Sequence, residues 1–563
     1  METDEWAVYC ENTILENLSF PVPALITVNG SIIEDIQVLS QPLSFANIKL
    51  LYPSLTIFYY EDSYLLPGLI DSNVKLNGDW EGCENGTKNA ISGGVTFTCI
   101  EKNFFGLIED YNGNLFCDLG FLARIQDFSD LNSVDKKNGQ FLAVKTYLNP
   151  QSKDVDKVKD VKRLFREIEL LGMPVIVDCA LTNDRMLHVA SPFRTEPIEK
   201  RSDFRNRLKS IDHFLVAVDM DINVCDSNSS GDEIIEEIKS CRKESTNSEC
   251  YEELTRAELD SYSYESTDFS DENSVTKCKS LELDKHSTRR NSKLDLFRPP
   301  SLQMLESPKY DEQNYQIYYL NVPTNCEIAG IDKILEVYNG NHPLHFSNLS
   351  CADSFQRLIN VKEILSNVTI ETCPHYLYFS SENIPDKDTR FKTFPPIRNQ
   401  NNQKFLVKYL KQDKIDIISS NHNPIHPNYK MMELGQFRRA LPGVNCLGFS
   451  LQAVWSVLMK KKSQNEGKWA VKIAKWMSWN QAKLLGIEKY KGSIAVGKHA
   501  DFVLWKPREI KEFRENYSKY PENCIYSGKK LAGEVEAVYL RGKLAFYKGE
   551  FYAHGIKIEP SMK

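Results

Sequence analysis

The chain contains no apolar run of about 18 residues, the length a helix needs to cross a bilayer, so a membrane-spanning role is not expected. Its first residues, METDEWAVYC, lack both a basic segment and a hydrophobic one, and the expectation is a cytosolic protein without a secretory leader. No CxxC pair occurs among its 14 cysteines, which argues against a zinc ribbon or a disulfide framework and for reduced, packed thiols. Positive charge is not in excess, since 69 Lys and Arg face 77 Asp and Glu for a net charge of -8. Neither nucleic acid nor an anionic membrane is therefore expected as a partner. Finally, none of the ten histidines stands in a His-x-His pair, so that familiar metal clamp is missing.

What is present is size and pattern. With 563 residues, 41% of them hydrophobic, the chain can fill a large core plus a satellite domain. Eight short apolar runs, LLPGLID, GGVTFTCI, FCDLGFL, FLAVKTYL, MPVIVDCA, LHFSNLS, VTIETCPHYLYF and IDIISSNHNP, alternate with longer stretches. Several of those stretches, such as VKDVKRLFREIELL and CADSFQRLINVKEIL, space apolar residues three and four apart. Strand runs alternating with helical periods predict an α/β fold of the (β/α)8 TIM-barrel type. Both ends instead alternate with period two, as in ALITVNG and VEAVYLRGKLAFYKG, and predict a small β-sandwich built from the two termini. The expected boundaries are 1–66 and 490–563 for the sandwich and 67–489 for the barrel. Residues 219–293 turn to Ser, Glu, Asp, Lys and Asn with few aliphatics, which predicts a disordered acidic insertion. Within it, Ser292 follows Arg289 and Arg290, a pattern read by basophilic kinases, and is the candidate phosphosite.

Four stretches, in order, resemble one family. DWEGCENGTKNAISGGVT (79–96), TCPHYLYFSSENIPDKDTRFKTFPPIR (372–398), KMMELGQF (430–437) followed by PGVNCLGFSLQAVW (442–455), and GSIAVGKHADFVLWKP (492–507) are similar to segments of allantoinases. These are cyclic amidohydrolases related to dihydropyrimidinases and dihydroorotases. The resemblance implies ring opening of a cyclic amide by water activated on two zinc ions, an ancestry in purine and ureide catabolism, and assembly into dimers or tetramers.

It also implies six metal-ligand positions, and at most of them this chain departs from the family. Asn73 and Lys75 stand where the first strand carries two histidines. Lys145 keeps the lysine that the family carboxylates. On strand five, VIVDCA gives Asp178, Cys179 and Ala180 in place of the histidine segment. On strand six the ligand position is Asn348, three residues after His345, and on strand eight Asn421 replaces the aspartate that serves as ligand and base. A neutral amide binds zinc poorly and an ammonium has no lone pair at all. The expected replacement is an organic salt bridge, with the Lys75 and Lys145 ammonium groups pairing with Asp178 while the Asn73, Asn348 and Asn421 amides supply hydrogen bonds. His345 and His422, with Asp178 and Lys145, are the candidate ligand-binding residues. His422 has an alternative reading as a cap at its strand-loop junction, and His375 reads as a packed, hydrogen-bonded barrel residue. His422 and His426 have the helical spacing of a single-metal site, but Pro427 follows and favours a loop.

The sequence thus predicts a metal-free pseudoenzyme of allantoinase descent, without catalytic residues or cofactor. It would act by binding a small ureide or cyclic amide, by scaffolding, or by co-assembly as a homo-oligomer or with an active relative. The alternative is an active hydrolase converting allantoin and water to allantoate, with an unusual or single-metal site and Asp178 or His422 as base. Only under that alternative are zinc ions expected.

Overall fold

The computed structural model describes residues 5–76, 80–102, 113–125, 130–131, 134, 140–147, 158–179, 312–459, 465–512 and 517–558. All of them belong to one unit, Met1–Leu208 with Arg298–Lys563. The acidic insertion and Ser292 lie outside the described residues.

The eight apolar runs become eight parallel strands: β5 (Leu69–Val74), β6 (Val95–Lys102), β7 (Asp118–Ile125), β8 (Ala143–Tyr147), β9 (Val175–Asp178), β10 (Leu344–Ser347), β11 (Val368–Thr372) and β12 (Ile417–Ile418). They pair in sequence order. The end of the series returns to its start through a parallel bridge between Val74 and His422, and the Lys75 N–H donates to the His422 carbonyl at 2.8 Å. Every residue of β5 is buried, as expected of a parallel strand covered on both faces. The outer helices follow the predicted period. Val158–Leu170 buries Leu164, Phe165 and Ile168, and Ala352–Lys362 buries Phe355, Leu358 and Val361. This is the predicted TIM-type barrel.

The terminal segments form a second eight-stranded sheet. Its members are β1 (Glu5–Thr13), β2 (Val22–Asn29), β3 (Ile32–Val38), β4 (Thr56–Pro67), β13 (Phe502–Glu512), β14 (Lys530–Leu540), β15 (Lys543–Tyr547) and β16 (Glu550–Phe551). The two ends of the chain meet where β4 pairs antiparallel with β13, Leu65 opposite Leu504. A buried ion network joins this sheet to the barrel. Lys491 Nζ lies 2.9 Å from Asp118 of β7 and 2.6 Å from Asp501, and Arg541 also pairs with Asp118. The ten described cysteines are all buried and none is in a disulfide. Among the described residues no helix is long and apolar enough to cross a membrane.

The Gly-Gly step before β6 has a packing reason. A Cβ on Gly93 would sit 2.6 Å from the Gly448 carbonyl oxygen, so the 79–96 and 442–455 motifs touch backbone to backbone.

Candidate functional site

Parallel strands aim the side chains at their C-terminal ends into one mouth, and there β5 to β8 deliver a cluster of charge. Lys145 and Tyr147 are two residues apart on β8 and share a face. The Lys145 ammonium, 1% exposed, lies 3.1 Å from Glu101 Oε1 at the end of β6 and donates to Asn73 Oδ1 at 2.5 Å. Lys75 Nζ approaches the same Glu101 oxygen at 3.8 Å, and the Tyr147 hydroxyl donates to it as well. Three cations surround the Tyr147 ring, with Lys75 at 5.2 Å, Arg124 at 5.1 Å and Lys145 at 5.5 Å from its centroid. Burial alone would raise the Glu101 carboxyl, but Lys75, Lys145 and Arg124 together outweigh it and hold the group down at about 2. Burial depresses Lys75, and Glu101 opposes that shift.

The expected salt bridge therefore exists with a different anion. Glu101 is the carboxylate in contact with Lys75 and Lys145, and Asp178 acts on Lys75 as a weaker charge. Asp178 stands opposite Tyr147 in the β8–β9 register, two residues beyond Lys145, and its Oδ2 accepts from Asn348 Nδ2 at 3.2 Å. Glu101 sits one strand from Lys75 and reaches both lysines. The sequence signal for it was slight, a lone acid closing the run TFTCIEK.

Below this cluster Glu371, on β11, gathers donors. Asn73 Nδ2 and the Asn348 N–H each donate to its Oε1 at 3.2 Å, and His345 Nε2 lies 3.2 Å from its Oε2. Burial raises the Glu371 carboxyl, yet the His345 contact and its neighbours leave it lowered overall. His345 Nδ1 is 2.9 Å from Thr369 Oγ1, so both ring nitrogens have protein partners. Nearby, burial pushes Asp71 up to about 7, although N–H groups of Asn73 and Ser420 donate to it at 3.1 and 3.0 Å.

Asn348 and Asn421 both adopt left-handed backbone, with φ of 61° and 48°. Asn tolerates this conformation better than other residues with a side chain. The Asn348 amide is fully used: Nδ2 donates to Asp178 and to the Phe394 carbonyl, while Oδ1 accepts from Asn421 Nδ2 at 2.9 Å, Tyr376 OH at 3.1 Å and Cys373 Sγ at 3.4 Å.

His422 is completely buried and caps its junction. Its Nδ1 accepts from the N–H groups of Cys446 and Leu447 at 3.1 and 3.2 Å. That assigns the remaining proton to Nε2, which lies 2.7 Å from Glu81 of the Trp-Glu-Gly segment. His426 is elsewhere engaged, with Nδ1 accepting from the Asn428 N–H. His375 corrects its expectation in part: it is packed 4.2 Å from the Tyr376 ring, but neither ring nitrogen has a hydrogen-bond partner, and burial lowers it to about 3.

The remaining motifs build the wall. Lys392 of the Arg-Phe-Lys segment donates to the Phe437 and Arg438 carbonyls, and Lys430 donates to the carbonyls of Lys392 at 2.7 Å, Gly443 at 2.5 Å and Leu441 at 3.2 Å. Two buried lysine amino groups, both made easier to deprotonate by burial, thus tie the 372–398 segment to the 430–455 segment.

The six family positions do not fit a pair of zinc ions. The Asn73 and Asn348 oxygens already accept from protein donors, and an ammonium lies between Asn73 and Glu101. Among the described residues, no three His, Cys, Asp or Glu side chains converge as metal donors.

Comparison with known proteins agrees with the fold and with the motifs. Residues 409–545 match the model of the Amidohydrolase family. An allantoinase of Arabidopsis thaliana is 36% identical over 262 residues, covering 44% of this chain and 50% of the relative. A probable allantoinase 2 of Dictyostelium discoideum is 24% identical over 537 residues, covering 90% of this chain and 82% of the relative. The crystal structure of dihydropyrimidinase from Brevibacillus agri NCHU1002 superposes with a TM-score of 0.64 over 98% of both chains at 16% identity. The chain is thus similar to allantoinases in sequence and to a dihydropyrimidinase in fold. Its match to the Arabidopsis allantoinase spans about half the length of that relative. The Glu81–His422 pair and the Lys392–Lys430 tie give the motifs shared with these relatives a structural reason that does not depend on turnover.

Proposed function

We propose that this allantoinase-like barrel binds a small ureide or cyclic amide without hydrolysing it by the family's metal-pair chemistry. The observation that carries this reading is the Lys145 ammonium held between Asn73 Oδ1 and Glu101 Oε1 at 2.5 and 3.1 Å. Positive charge and occupied lone pairs take the place where two dications would have to be gripped, and no hydroxide is made there. Binding then serves sensing, scaffolding, or co-assembly with itself or an active relative in the cytosol, without a metal cofactor.

The names of the relatives favour a second reading more directly: hydrolysis of allantoin to allantoate at an altered site. Asn421 has no proton affinity for the role of base. His422 has both nitrogens engaged, which leaves Asp178 to activate water. Elemental analysis of purified protein, with a ring-opening assay on allantoin before and after adding zinc or manganese, separates the two. The first reading expects no stoichiometric metal and no turnover above the uncatalysed rate. Turnover abolished by Asp178→Asn would establish the second.

A further inference from the structure

At the end of the barrel opposite the mouth, beside the start of β7, two hairpin turns and the C-terminal segment enclose a cavity of about 310 Å3. It is lined by Ser31, Leu540, Arg541, Lys543, His554 and Ile556. Arg541 and Gly542 make the tight turn from β14 to β15, with φ of 47° and 74°, the left-handed pair that a short hairpin favours. A Cβ on Gly542 would collide with the Gly30 carbonyl oxygen, so this turn lies backbone to backbone on the turn between β2 and β3, and Ser31 reaches the same cavity. The third wall is held to the barrel. The Ile556 N–H donates to Asp118 Oδ1 at 2.9 Å, and the Leu119 N–H donates to the Ile556 carbonyl at 2.9 Å.

Behind the cavity the buried charges cancel, with Asp118 and Asp501 matched by Lys491 and Arg541. Lys543 and His554 stand outside that balance. Among the described residues Lys543 has no carboxylate within ion-pair distance. Burial lowers the His554 imidazole, and the positive charges of Lys543 and Arg541 lower it further. A cavity with surplus positive charge, a hydroxyl at its rim and two aliphatic walls suits an anion with an organic group attached.

We propose that this cavity binds the phosphate group of a small phosphomonoester, with Lys543 and His554 meeting its charge, the Ser31 hydroxyl donating to it, and Leu540 and Ile556 covering the organic group. Phosphate fits better than carboxylate for two reasons. Its charge near neutral pH approaches two, matching an ammonium and an imidazole that gains a proton beside the anion. Its oxygens also point in three directions, toward donors that come from three separate segments. At roughly 30 Å3 for each water-sized group, the volume exceeds what a bare phosphate fills. An ester held there joins the β2–β3 turn, the β14–β15 turn and the C-terminal segment, and so fastens that segment against β7.

The test is titration calorimetry of the full chain with glycerol 2-phosphate, inorganic phosphate and glycerol. The ester is expected to bind most tightly, inorganic phosphate more weakly and glycerol not at all, with affinity falling as salt rises. Lys543→Met and His554→Gln should each weaken the ester about tenfold. Lys530→Met, which removes the same charge at the exposed start of the same hairpin, should leave it nearly unchanged. Hydrogen exchange of residues 552–558 should slow when the ester is bound. No heat from the ester at millimolar concentration overturns the proposal, as does equal binding of inorganic phosphate or of glycerol. An affinity unchanged in Lys543→Met, or lowered as much in Lys530→Met, overturns the assignment to this cavity.

Discussion

Replacing Glu101 by Gln keeps the shape of the side chain and removes the negative charge in contact with Lys75 and Lys145. Two routes give the size of the effect. A carboxyl held at about 2 in place of its ordinary 4.5 corresponds to roughly 3 kcal/mol of stability at neutral pH. Removing one partner of a buried ion pair costs about 3–5 kcal/mol by general experience. The group is almost wholly buried, so screening by solvent does not erase the effect. Its sign with pH is fixed by the lowered value: the stabilisation is present above the unfolded value of 4.5 and is lost as pH falls toward 2. Urea unfolding followed by tryptophan fluorescence should therefore show Glu101→Gln less stable by about 3 kcal/mol at neutral pH, with the gap closing below about pH 4.5. The double variant Glu101→Gln with Lys145→Met removes both partners and should recover at least about half of the loss. A Glu101→Gln protein within about 0.5 kcal/mol of the parent at neutral pH, or a gap unchanged at about pH 3, would refute the charge network as described.

Asn348→Ala strips the amide from five partners and places a Cβ residue without local hydrogen bonding at φ 61°, for an expected loss of about 3 kcal/mol in urea midpoint analysis. Asn348→Gly should recover about 1 kcal/mol of that, which isolates the backbone term. Lys430→Met orphans three buried carbonyls and should cost about 2–4 kcal/mol, with limited proteolysis newly cutting within 426–443. Gly93→Ala forces a methyl to 2.6 Å from the Gly448 oxygen and should lower stability by about 1–3 kcal/mol by the same assay.

The barrel was legible because its signal is repeated. Eight apolar runs separated by helical periods constrain the fold jointly, and each run needs only to be buried on both faces for the pattern to hold. The meeting of the two chain ends was legible for a related reason, since strands of period two with a half-polar face need partners, but the β4–β13 pairing itself was not, because LLPGLID reads as one barrel run whereas its first three residues close β4. The site was legible only in part. Asn73, Lys145, Asn348 and Asn421 do converge, because their places follow from the ends of parallel strands. The identity of the counter-ion did not follow from such places. Glu101 and Asp178 each close a strand at the same end of the barrel, and choosing between them requires knowing which carboxylate Asn348 already holds and how far each lysine reaches across the sheet. Those are distances, on which strand order is silent. Long flexible ammonium side chains make this kind of pairing the least predictable from sequence, since a lysine can reach more than one neighbouring strand. The same reach explains why one acidic residue, with no motif around it, becomes the centre on which Lys75, Lys145 and Tyr147 all depend. A site whose ligands were rigid imidazoles would have announced itself by spacing; a site held by Glu101 announces itself only once the strands are closed.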